Sequence, residues 1–327
     1  MEVLRSLEQR TDGSTLIIAL GNFDGVHLGH RKLLKKMVSY AHKKGGIPSV
    51  LLFQPHPQQV LNPATAPRLI MSNERKMKVM NDLGVKVFYL IPFDLNFASQ
   101  EPEEFVEEIL IKKLNVSGVF VGYNYQFGKC GAGRPEYLKK IGVEKGIYVE
   151  VIPPVVMHGV PVSSTLIRSA LNNGDIVRAR ELLGYWPVLQ GEVIKGDQRG
   201  RRIGFPTANL AVPEELLIPR NGVYAGEAVV DGKPYLAVLN IGRHPTFGLS
   251  SKQTIEAHLL KFDGDLYGKQ LEISLYKMLR EEKKYNNADE LIDQINKDIE
   301  LAGKIHEEIG QKQLQRESSG LIRKIYN

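Results

Sequence analysis

The chain has 327 residues, 43% hydrophobic and 24% charged, an ordinary balance for a globular protein whose length suggests about two domains. No apolar run approaches the ~20 residues of a bilayer span, and residues 1–14 lack the apolar core of a signal peptide, so no membrane or secretory role is expected. The net charge of +6 comes from 43 basic and 37 acidic residues, interspersed and without a basic tail. That pattern points to polyphosphate substrates and away from nucleic acid. The lone cysteine, Cys130, excludes an internal disulfide, fits a reducing cytoplasm and reads as an incidental loop residue.

In chain order, the apolar run 15–20 predicts a buried strand, and the segment 21–30, GNFDGVHLGH, separates it from a helix with apolar positions Leu33, Leu34, Met37, Val38 and Ala41. Strands are predicted at 48–53, 86–91, 116–122 and 148–152, alternating with helices at 73–83, 102–113 and 135–146. This alternation predicts an α/β, doubly wound, Rossmann-like sheet whose ligands meet the carboxyl ends of the strands. The segments there, 21–30, 54–57, 122–128 and 161–168, are the unusual stretches of this half. A helix follows with Gly184 as its stop, and Tyr185-Trp186-Pro187 marks a boundary. The expected domains are therefore 1–184 and 185–327. Beyond the boundary, strand-like runs at 188–194, 223–230, 235–241, 255–260 and 271–276 are separated by turns, which predicts a small antiparallel β-barrel. A helix capped by Asn287 starts near the end, with Leu291, Ile292, Ile295 and Ile299 on one face.

The stretch 191–210, GEVIKGDQRGRRIGFPTANL, reads as a strand, a Gly/Arg-rich loop and a second short strand. Gly196, Gly200 and Gly204 beside Lys195, Arg199, Arg201 and Arg202 make either an anion-binding loop or a basic surface turn. Thr207 and Asn209 share a face in an extended segment, and their oxygens suit Mg²⁺ or another divalent cation. In the first half, His27 and His30 flank a helix N-terminus, where free amides and the dipole favour an anion. Gly21, Gly25 and Gly29 let backbone approach a nucleotide, with Phe23 in the same segment. Ser163, Ser164 and Thr165 either cap the next helix or, with Arg168, grip phosphates.

These strings resemble one family. The run 196–209, GxxxGRxxGFPTAN, followed by Asn221-Gly222-Val223-Tyr224, Asn240-Ile241-Gly242, Pro245-Thr246-Phe247, Glu256-Ala257-His258-Leu259 and Asp265-Leu266-Tyr267-Gly268, is similar to the riboflavin kinases. HxGH at 27–30 and SSTxIR at 163–168 are similar to the nucleotidyltransferases. Together they resemble the bacterial bifunctional riboflavin kinase/FMN adenylyltransferases (FAD synthetases) over about 15–300. The resemblance implies that riboflavin plus ATP gives FMN in the C-terminal half, and that FMN plus ATP gives FAD and pyrophosphate in the N-terminal half. It implies His27 and His30 as catalytic in the first reaction centre, with phosphate contacts from 163–168. It implies Glu256 as the base acting on the ribityl 5′-hydroxyl, His258 as supporting structure, and Asn124 and Arg280 as flavin-side residues. The chain departs from many relatives at Leu166, where they carry arginine, and at Asn124, where aspartate is frequent.

No P-loop string occurs, so the phosphate cradle expected in the second half is 196–204. In 254–259 the polar residues Thr254, Glu256 and His258 share one strand face and Ile255, Ala257 and Leu259 the other; by itself this leaves Glu256 as either a base or an ordinary surface glutamate. Asp24 is a possible metal or ribose contact. The competing readings are one live half only, a non-catalytic flavin-binding regulator, or a hydrolytic metal site using His27, His30 and His56. Small-molecule substrates, a monomer or weak homo-oligomer, and a cytoplasmic setting are expected.

Overall fold

The computed structural model describes residues 1–7, 13–196, 199–244 and 252–318. It forms two compact units, Met1–Ser164 and Thr165–Asn327. The expected segment Pro245-Thr246-Phe247 lies outside the described residues.

The first unit is built on six parallel strands: β1 (Glu2–Leu4), β2 (Leu16–Leu20), β3 (Ile47–Gln54), β4 (Val87–Pro92), β5 (Val116–Gly122) and β6 (Tyr148–Ile152), in the order β1-β4-β3-β2-β5-β6. Every residue of β2 is buried, as expected of a central strand covered on both faces. Between strands run α1 (Leu28–Lys44), α2 (Pro57–Leu61), α3 (Asn73–Asp82), α4 (Leu95–Ala98), α5 (Pro102–Glu104) continuing as a π-helix over Phe105–Lys113, and α6 (Pro135–Lys145). α1 buries the five predicted apolar residues and ends on left-handed Gly45. The predicted helix at 102–113 is mostly π-helical, and its buried Phe105, Val106, Ile109 and Leu110 recur four residues apart, a spacing the wider turn accommodates. A small hairpin, β7 (Val156–Met157) with β8 (Val160–Pro161), completes the unit.

The order of strand addition reverses across the sheet between β2 and β5, which pair in parallel with Leu20 opposite Val121. The segments leaving these two strands, 21–30 and 122–128, therefore flank the crevice where ligands of such sheets bind.

The division between the units falls after the first residue of α7 (Ser164–Asn172), and α8 (Ile176–Leu183) follows in the second unit and stops at left-handed Gly184. The barrel strands are β9 (Val188–Ile194), β10 (Ala208–Ala211), β11 (Gly222–Val230), β12 (Lys233–His244), β13 (Lys252–Leu259) and β14 (Gln270–Arg280), with a one-turn helix α9 (Arg199–Arg202) between β9 and β10. They close in the order β10-β13-β12-β11-β14-β9. Tyr224, Ala237, Leu239, Ile241, Ile255 and Ala257 are sealed in its interior. The final helix, α10 (Ala288–Ser318), extends well past its apolar stripe. Its Ala302 is buried against Val223, Ala225 and Val238 on the barrel's outer face.

Two polar clasps reinforce that seam. Arg280 donates from Nε and Nη2 to the carboxylate of Asp298 at 2.8–3.1 Å, and the Asp298 side chain is 5% exposed. His306 Nε2 lies 2.8 Å from Glu227 Oε2. Removing one partner of a buried pair strands the other charge. Asp298→Ala should therefore cost about 3 kcal/mol, read as a lower urea midpoint at unchanged m-value; an unchanged midpoint would show that α10 is held by its apolar seam alone.

Candidate functional sites

The first site grows from the loop after β2. Phe23 and Val26 have φ of 49° and 34° and Gly25 has φ of 79°. A run of left-handed residues outside glycine is costly and turns the chain sharply before α1. His27 caps α1, its Nδ1 accepting from the amide of His30 at 3.4 Å. With Nδ1 as acceptor, a neutral His27 carries its proton on Nε2 and keeps one N–H donor. The two rings stack at 3.6 Å and 17°, and Phe23 packs edge-on against His30 at 5.2 Å. Gly29 matters here for space: a Cβ there would stand 3.2 Å from the His27 ring.

Burial pushes the His27 imidazole down to about 4. Burial, then the neighbouring His27 and Lys76, push His30 well below the usual histidine range. At neutral pH both rings are uncharged, and they act through hydrogen bonds and not as cations. His30 Nδ1 is buried without a hydrogen-bond partner among the described residues, an unmet capacity beside the helix terminus.

Two further residues shape this loop. Asp24, 2% exposed, accepts from the amide of Ile70 with both oxygens at 3.0 and 3.1 Å, so it ties the loop to the approach of α3. Lys76 on α3 is 3% exposed and donates to Asn73 Oδ1 at 3.0 Å. Burial lowers its pKa, against the opposing pull of Asp24 and Glu74. Sequence reasoning missed Lys76, since a lysine in a short amphipathic helix ordinarily faces water. Ser164, the last residue of the first unit, donates from Oγ to the carbonyl of Asp24 at 2.8 Å and so reaches the same loop. Ser163 precedes it, and Thr165, Leu166 and Arg168 continue along α7. Gly21 leaves β2 beside Gly122 at the end of β5, and Asn124 lies exposed two residues further on. His56 caps α2, accepting from the amide of Gln58 at 3.2 Å, and no group of three or more His, Cys, Asp or Glu among the described residues is placed to hold a metal.

The second site lies on the barrel's outer face. Residues directly opposite one another in an antiparallel pair present side chains to the same face. Across the strands, Ile194 stands opposite Asn209, Asn209 opposite Glu256, Glu256 opposite Asn240, Asn240 opposite Val223, and Val223 opposite Arg280. One circumferential row thus carries the expected cation ligand Asn209, the expected base Glu256 and the expected flavin-side Arg280. Glu256 is half-buried, between buried Ile255 and Ala257 that face inward.

The Gly/Arg loop closes over the start of β10. A Cβ on Gly196 would overlap the Asn209 amide, and one on Gly200 would overlap the carbonyl of Phe205. The loop is thus folded tightly against Thr207 and Asn209. Arg201 lies on α9 and Gly204, with φ of 89°, follows it. His258 Nδ1 lies 2.8 Å from the Pro206 carbonyl and its ring meets Phe205 edge-on, so it holds this segment in place. A cleft of about 240 Å³ opens beside the loop, lined by Val193, Arg201, Thr207, Leu259, Asp263 and Tyr267 among others. Arg280 has its guanidinium committed to Asp298 and set 5.8 Å over the Tyr285 ring.

The depressed histidines make a stability prediction. Unfolded His27 takes up a proton below about 6.5, while the folded ring stays neutral until about 4. The unfolded state binds more protons in that window, so stability falls as pH drops through it, by about 3 kcal/mol for this group at full effect. Urea titrations from pH 7 to 4.5 should show a shallower decline for His27→Asn, which retains a capping side chain, than for the wild type; equal slopes would contradict the buried neutral ring.

Known proteins resemble both halves of the chain. Residues 9–166 match a family model for FAD synthetase and residues 183–306 one for riboflavin kinase. The chain is 38% identical over 289 residues to the bifunctional riboflavin kinase/FMN adenylyltransferase of Bacillus subtilis, covering 88% of this chain and 91% of that protein. It is 39% identical over 283 residues to that of Listeria monocytogenes, covering 86% and 90%, and 36% identical over 283 residues to that of Escherichia coli K12, again covering 86% and 90%. A crystal structure described as a macrolide-efflux protein from Streptococcus pneumoniae superposes with a TM-score of 0.83 at 29% identity, covering 92% of this chain and 99% of that one. In the present chain no helix of the described residues is long and apolar enough to cross a membrane. By sequence relationship over nearly its whole length, and by an α/β nucleotidyltransferase unit followed by an antiparallel barrel, the chain belongs to the family of bifunctional riboflavin kinase/FMN adenylyltransferases.

Proposed function

We propose that residues 185–327 phosphorylate riboflavin to FMN and residues 1–184 then transfer an adenylyl group from ATP to FMN, each by the residues assembled above. The observation that carries the reading is the strand register that sets Glu256 directly opposite Asn209, joining a base and an oxygen ligand that are 47 positions apart in sequence.

In the kinase reaction Glu256 accepts the proton of the ribityl 5′-hydroxyl as its oxygen bonds the γ-phosphorus, and the bond to the departing ADP oxygen breaks. The 196–204 loop, with Gly196, Arg201 and Gly204, cradles the phosphates. Hydroxyl and amide oxygens under a folded basic loop suit a hard divalent cation, so Thr207 and Asn209 would hold Mg²⁺. That ion would neutralise phosphate charge. Arg280 acts on the flavin side by fixing the end of β14 through Asp298.

In the adenylyl reaction a phosphate oxygen of FMN bonds the α-phosphorus of ATP as the bond to pyrophosphate breaks. Neutral His27 and His30 donate hydrogen bonds to the polyphosphate at the N-terminus of α1, together with Gly21, Phe23, Gly25 and Gly29 of the loop. Ser163, Ser164, Thr165 and Arg168 contact the β- and γ-phosphates, and Asn124 the flavin nucleotide. The protein works in the cytoplasm as a monomer or weak homo-oligomer.

Chromatographic separation of flavins formed from riboflavin, ATP and Mg²⁺ tests both halves together. Glu256→Ala should abolish FMN formation, by at least about 100-fold, while added FMN still becomes FAD. His27→Ala with His30→Ala should do the reverse, so that FMN accumulates. A folded variant that lost both activities would refute two independent sites. Gly196→Ala should displace the Asn209 amide and raise the Mg²⁺ requirement of the kinase step alone; an unchanged Mg²⁺ titration would remove the loop from the cation site.

A further inference from the structure

Asn240 belongs to a segment, Asn240-Ile241-Gly242, to which the reaction scheme gives no role. Its position on β12 is nevertheless specific. It stands directly opposite Glu256 on one side and Val223 on the other, so it occupies the row between the base and Arg280. Strand spacing separates it from Glu256 by about 4.8 Å.

The outward face of β12 is closed on both sides of it. Two residues back, Val238 is 9% exposed and packs in the seam with Ala302 of α10. Two residues on, a Cβ on Gly242 would overlap the carboxylate of Glu282, which the Asn221 amide also approaches at 3.4 Å. Asn240 is half-buried, the outward position left open between these two covers. Asn240 is therefore the open outward position of β12 next to Glu256.

We propose that Asn240 is a substrate-positioning residue of the kinase site, whose amide hydrogen-bonds the 4′-hydroxyl of the ribityl chain while Glu256 takes the proton from the adjacent 5′-hydroxyl. A carboxylate and an amide on directly opposed positions have Cβ atoms about 5 Å apart, a span that two short side chains close onto neighbouring oxygens of a vicinal diol. The amide can donate or accept, as a hydroxyl requires. This inference rests on Glu256 being the base.

The test is steady-state kinetics of Asn240→Ala and Asn240→Ser on riboflavin, 2′-deoxyriboflavin and 4′-deoxyriboflavin, with FMN-to-FAD conversion and a thermal melt measured on the same samples. Asn240→Ala should raise the riboflavin KM about tenfold, the effect of one lost hydrogen bond, with the ATP KM unchanged. The penalty should persist on 2′-deoxyriboflavin and vanish on 4′-deoxyriboflavin, and Asn240→Ser should recover part of it. An unchanged riboflavin KM, an equal rise in ATP KM, or a penalty that survives removal of the 4′-hydroxyl would each overturn the proposal. Failure of the underlying reading shows separately, as continued FMN formation by Glu256→Ala.

Discussion

Closure of the barrel through β10 is the constraint on which the kinase site depends. β10 is four residues long, yet it pairs with β9 on one edge and β13 on the other. Without it the sheet would end in two open edges, and Asn209 would not stand opposite Glu256. The short strand is held by covering more than by length. The Gly/Arg loop folds over its start where glycines leave no Cβ, and His258 anchors the preceding Pro206 carbonyl. The loop proposed to gather phosphates is thus also part of what closes the barrel, which would couple cradle and scaffold.

The adenylyl site is built on the opposite principle. Its residues gather beyond the end of β2, a strand buried throughout, and the crevice arises from strand order. What tunes it is desolvation. Asp24 draws the approach of α3 against the loop, and the resulting burial keeps two stacked imidazoles neutral. Two imidazolium rings at 3.6 Å would repel, so the stacking and the loss of charge are one fact.

Much of this was legible in the sequence because it is local. The strand at 188–194 and the Gly184 stop need only periodicity and a left-handed glycine, and the alternation in 254–259 already turned Glu256 away from the interior. What escaped depends on partners distant in sequence. β1 is three residues long and exists by pairing with β4, more than 80 positions away. Lys76 is buried within electrostatic reach of Asp24, which helical periodicity cannot reveal. Arg280 was read from resemblance as a flavin-side residue, and its tie to Asp298 is visible only once α10 is laid on the barrel. The polar stretch after about 304 lacked an apolar stripe, yet α10 continues through it, aided by the His306–Glu227 pair.

The contrast between the two sites follows from their nucleophiles. A riboflavin hydroxyl is neutral and must lose a proton as it attacks, so the kinase needs a base, the role proposed for half-buried Glu256. The phosphate of FMN is already an anion and needs no base. A charged acceptor beside it would repel it, whereas neutral N–H donors at a helix terminus attract both it and the leaving pyrophosphate. In the proposed sites Glu256 is half-buried, whereas desolvation keeps His27 and His30 uncharged. A single scaffold could not readily supply a wet carboxylate and a dry imidazole pair at one crevice, which gives a physical reason for a second, differently built unit to carry the other reaction.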